Sequence, residues 1–63
     1  MSYAFDMGKA AFRADKGRSP ILDSEFMSYL KLKENMWHDK ILKEWLSGWD
    51  YANIKQHVIR DLK

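Results

Sequence analysis

The chain contains no cysteine, which excludes disulfide staples and any thiolate-ligated metal site. It holds one proline, Pro20, and three glycines in 63 residues, so little interrupts a helix once it has started. No stretch approaches the ~20 apolar residues that a bilayer-spanning helix needs, and no membrane partner is expected. No cationic segment followed by an apolar run opens the sequence, so a secretory signal is not expected either. With the missing cysteine, this points to a reducing, cytoplasmic setting. A strong field of one sign is also lacking, since 11 basic and 9 acidic side chains leave a formal charge of +2. The excess lies at the front, where Lys9, Arg13, Lys16 and Arg18 meet only Asp6 and Asp15 within residues 1–22. The remainder carries seven side chains of each sign.

What is present is aromatic bulk: three Phe, three Tyr and three Trp. Each large ring buries about 150–250 Å². That suits residues 1–63 as one small domain, because a chain of this length hides only about 60% of its unfolded surface. Apolar residues recur at helical spacing throughout and no strand pattern competes, so the expected class is all-α, either a small helical hairpin or a three-helix arrangement. Ser2 caps a first helix near 3–16, carrying Ala4, Phe5, Gly8, Ala11 and Phe12 on one stripe. Gly17 is placed to end it in a left-handed conformation, and Ser19-Pro20 enforces the break. Asp23 or Ser24 caps a second helix near 23–34, with Leu22 as a hydrophobic staple and Phe26, Tyr29, Leu30, Lys33 and Trp37 following one face. A third helix near 36–61, with Asn35 as its cap, carries Ile41, Leu42, Trp45, Leu46, Trp49 and Ala52, then Ile54, Val58, Ile59 and Leu62. One long bent helix over 21–63 is the competing arrangement.

Two of the glycines fall inside helices, where each costs roughly 1 kcal/mol relative to alanine. Gly8 lies between Phe5 and Ala11, and Gly48 lies between Trp45 and Trp49. The simplest compensation is a close crossing of the two helix backbones, each bare glycine admitting the other chain beneath a large ring. Trp45 and Trp49 share a face and could form a stacking platform for unpaired bases. Core packing is the favoured role, with Trp37 the more exposed ring.

Lys9, Arg13 and Lys16 lie at i, i+4 and i+7 along the first helix, with Arg18 just beyond its end. They are the candidate phosphate contacts, against the alternative of a solvated face on which Asp6 and Lys9 form a weak pair. Lys31, Lys33, Lys40 and Lys43 alternate with Glu34, Asp39 and Glu44 and read as solvated surface. His38 and His57 form no helical metal pair. No Gly-rich phosphate loop, cysteine nucleophile or serine–histidine–carboxylate set exists, so no catalytic residue, metal or cofactor is expected, and the chain is not read as an enzyme.

The glycine-centred segments resemble those of the ribosome modulation factor family, small bacterial ribosome-hibernation proteins. The matching residues are Phe5, Gly8 and Ala11 in the first helix, Gly17, Arg18 and Ser19 in the break, and Trp45, Leu46, Gly48, Trp49 and Ala52 in the last helix. Together these segments span about half of the chain. The resemblance implies a two-helix core in which Gly8, Trp45, Gly48 and Trp49 hold the helices together. It further implies association with the small ribosomal subunit, contacts from Lys9, Arg13, Lys16 and Arg18 to ribosomal RNA, and occlusion of the message without covalent chemistry. The chain departs from the family in its lower charge, in Ser19-Pro20-Ile21 after the break and in an inserted segment near 22–38. A second reading is a small helical, phage-borne inhibitor or adaptor that grips a host protein through Tyr29, Trp37, Val58 and Leu62, since aromatic anchors concentrate binding energy. A homodimer through the last helix is compatible with both.

Overall fold

The computed structural model describes residues 2–61, with side chains for residues 2–57. Three helices and no strand form among the described residues: α1 (Tyr3–Arg13), α2 (Ser24–Lys31) and α3 (His38–Asp61). Two 3-10 turns, Pro20–Leu22 and Asn35–Trp37, lead into α2 and α3. Of the expected arrangements, the three-helix one is formed. Among the described residues, no helix is long and apolar enough to cross a membrane.

α1 begins where expected, with the Ser2 hydroxyl accepting the Phe5 N–H at 3.1 Å. It ends three residues early. Asp15, not Gly17, takes the left-handed conformation, at φ 61°. The Lys16 N–H returns to the Ala11 carbonyl at 2.9 Å and the Asp15 N–H to Phe12 at 3.1 Å, the paired bonds that close a helix through a left-handed residue. The Trp49 indole N–H donates to the Lys16 carbonyl at 2.9 Å, which ties the chain just past α1 to α3.

Asp23 caps α2, its carboxylate accepting the Phe26 N–H. Leu22 forms no staple: it is the last residue of the first 3-10 turn, and its side chain is 82% exposed. α2 closes at Lys31, so Trp37 does not continue its face; the chain extends at Glu34 and re-enters through the second 3-10 turn, which Asn35 opens, so Asn35 is not the residue that precedes α3. α3 therefore starts at His38, after the turn rather than at 36.

The core gathers Ala4 and Ala11 from α1, Phe26 and Leu30 from α2, and Ile41 and Trp45 from α3. Trp45 is wholly buried, its ring 5.9 Å from that of Phe26. Phe5 lies against Gly48 and Tyr51, while Phe12 meets Trp49 edge-on at 5.1 Å and lines a cleft with Ala52 and Gln56. Positions thus advance together along both helices, so α1 and α3 run in the same sense and α2 returns the chain between them. At 1.5 Å per residue, the 24 residues of α3 outrun the 11 of α1, and the molecule is elongated at 44 × 19 × 14 Å.

Candidate nucleic-acid interface

The glycines set the distance between α1 and α3. A Cβ built on Gly8 would fall on the Trp45 carbonyl and within 2.9 Å of the Trp49 nitrogen. One built on Gly48 would fall on the Phe5 carbonyl and within 2.8 Å of its carbon. The notches are reciprocal, each glycine facing the other helix's backbone, a geometry that brings Cα–H groups to carbonyl oxygens. Gly17 has no atom within 4 Å of such a Cβ, so it plays no part in the crossing.

Both indoles beside Gly48 are used internally. Trp45 Nε1 donates to Asp23 Oδ2 at 3.0 Å, and Trp49 bonds Lys16 as described; Trp45 lies in the core, Trp49 packs partly buried against it, and neither ring is a free stacking platform. Asp23 is the one buried charged residue among those described. Besides its bonds to Trp45 and Phe26, it meets Lys16 Nζ at 3.4 Å. Its carboxylate joins the loop, α2 and α3.

The four candidate phosphate contacts do not form one row. Lys16 is drawn onto Asp23. Arg18 makes a two-pronged pair with Asp50, Nε to Oδ1 at 2.7 Å and Nη2 to Oδ2 at 2.8 Å. The hydrogen bonds from Arg18 hold the Asp50 carboxyl below its ordinary range; burial opposes them and outweighs the further pull of the Arg18 charge. The same bond holds the Arg18 guanidinium above its usual value. Lys9 touches Asp6 at 3.7 Å, the expected helix-surface pair, but it also lies over the rings of Phe5 and Tyr51, at 5.5 and 5.8 Å. Among the described side chains, no carboxylate lies within ion-pair distance of Arg13.

Lys9 and Arg13 instead line a cleft between α1 and α3, of about 290 Å³, with Phe12, Tyr51, Ala52, Lys55 and Gln56. An adjoining recess of about 300 Å³ adds Asn53, His57 and Asp15. Lys55 Nζ lies 5.7 Å from the Tyr51 ring, so cations from two helices converge on one aromatic side chain. Sequence reasoning missed Lys55, although the signal was present. Gly48, Ala52 and Lys55 fall at i, i+4 and i+7, so the stripe that packs on α1 carries Lys55 to its edge.

The anchors of the protein-binding reading are dispersed. Tyr29 is partly buried, 4.8 Å edge-on to Tyr3 and 6.5 Å from Phe26. Trp37 is exposed, as are Leu32 and Met36 in the same link between α2 and α3, with Lys40 6.0 Å over its ring. The Val58 side chain and Leu62 lie outside the described residues. Among those described, no group of three or more His, Asp or Glu is placed to hold a metal. Comparison of the chain with protein-family models, characterised proteins and solved structures finds no match.

Proposed function

We propose that the protein is a small non-enzymatic modulator of translation that binds ribosomal RNA on the small subunit and obstructs message engagement by occupying space. The observation that carries the reading is the convergence of Lys9, Arg13 and Lys55 on the α1–α3 cleft. The reciprocal Gly8–Gly48 crossing supports it further, because the likeness to ribosome modulation factors rests on those residues. The RNA-facing set is accordingly Lys9, Arg13 and Lys55. Lys16 and Arg18 serve the fold through Asp23 and Asp50.

Co-sedimentation with small ribosomal subunits tests this. The unaltered protein travels with the subunits at low salt and is released as salt rises, because phosphate contacts discharge counterions. Arg13→Glu with Lys55→Glu abolishes association at an unchanged helical content. Retained association in that double variant would refute the proposal.

The exposed corner of Leu32, Met36 and Trp37 favours a second reading, an adaptor for a host protein. Its mark is a complex that survives high salt and is lost with Trp37→Ala.

A further inference from the structure

We infer that the α1–α3 cleft selects single-stranded RNA over duplex, with the Tyr51 ring stacking on an unpaired base while Lys9, Arg13 and Lys55 hold the flanking phosphates. The inference rests on the RNA-binding reading above and names the form of RNA that the site takes.

Tyr51 is an aromatic side chain held at the surface: it remains 46% exposed, although Phe5 supports it from α1 with ring centroids 5.7 Å apart. Leaving a tyrosine in water forgoes burial that a domain this small needs. Lys9 and Lys55 rest near its ring at 5.8 and 5.7 Å. Exposed cation–π contacts of this kind are weak, so an arriving phosphate draws both ammonium groups away and leaves the ring to a base. Gln56 and Asn53 along the recess offer amide donors and acceptors to a base edge. A duplex cannot use the ring, since its bases are already stacked and side chains do not enter the narrow groove of A-form RNA. Stacking on aromatic side chains contributes to single-strand binding with any base, so the selectivity falls on strandedness rather than sequence. Among the described residues, the other ring lining this cleft is Phe12, which is already engaged edge-on with Trp49.

The test is fluorescence anisotropy on the full chain, with a labelled single-stranded RNA dodecamer of mixed sequence and the same RNA annealed to its complement. The single strand binds at least about tenfold more tightly, Tyr51→Leu lowers that affinity roughly tenfold, and Tyr51→Phe retains it. Arg13→Gln and Lys55→Gln each weaken binding and reduce the salt slope by about 0.7. Circular dichroism melting of Tyr51→Phe and Tyr51→Leu separates a folding defect from a lost contact. Equal affinity for duplex and single strand, or unchanged affinity in folded Tyr51→Leu, overturns the inference. Ribosome co-sedimentation that persists in Tyr51→Leu with no strand preference removes the inference and leaves the broader reading. Tyr51-dependent binding to the dodecamer without subunit association leaves the inference and removes the ribosomal assignment.

Discussion

At the scale of single residues, the three glycines have different duties, and the difference is measurable. Gly8 and Gly48 each face a carbonyl of the opposite helix, and backbone cannot move aside as a flexible side chain can. Gly8→Ala or Gly48→Ala gains about 1 kcal/mol of helix propensity but forces the helices apart. The net loss is about 3 kcal/mol or more, comparable with the whole stability of about 3–5 kcal/mol that a core this small supplies. Thermal melting should show either variant with its Tm lowered by about 12 °C or more. Gly17→Ala meets open space at a position without positive φ, and should raise stability by about 0.4–1 kcal/mol through the unfolded chain. Asp15 is the converse case. It holds a left-handed angle that disfavours a Cβ, so Asp15→Gly should raise Tm by a few degrees. A lower Tm for Asp15→Gly would mean that its side chain contributes something the geometry does not reveal.

At the scale of elements, two ionic contacts fasten the segment between α1 and α3. The buried Asp23 carboxylate is the stronger. Removing one side of a buried, hydrogen-bonded pair costs about 3–5 kcal/mol, so Asp23→Ala should abolish the cooperative melt. Asp23→Asn retains an acceptor for the cap and should lose only about 1–2 kcal/mol. The Arg18–Asp50 pair is half-exposed and adds a pH signature. The folded Asp50 carboxyl titrates below its ordinary value near 3.8, so its stabilisation is fully present above that pH and is lost as pH falls through the folded value. The Tm difference between the unaltered chain and Asp50→Asn should therefore be constant from pH 7 to about pH 5 and close under stronger acid. A gap that stayed open in strong acid would mean the pair is not its source. The helix crossing was legible in the sequence because glycine inside a helix carries a penalty that only close approach offsets. The partners of Asp23 and Arg18 were not. Trp45 and Asp50 stand 22 and 32 positions away, and nothing in local spacing links them. The bond from Trp49 to the Lys16 carbonyl was hidden for the same reason, since it spans 33 positions.

At the scale of the whole molecule, a charge of +2 gives little long-range attraction, and any polyanion must be held by a local concentration of cations. Internal pairing removes Lys16 and Arg18 from the surface field and leaves the cleft as the place where cations of two helices meet. The basic stripe of α1 was readable from spacing alone. Which of its members remained available depended on Asp23, the cap of α2, and on Asp50 of α3, and the addition of Lys55 depended on the rotation of α3 about the glycine crossing. The most direct test is a two-dimensional 15N NMR titration of the folded chain with single-stranded RNA. The account predicts shifts concentrated at Lys9, Arg13, Tyr51, Lys55 and Gln56. Shifts concentrated instead at Leu32, Met36 and Trp37, or along Lys16 to Arg18 with the cleft unmoved, would contradict it.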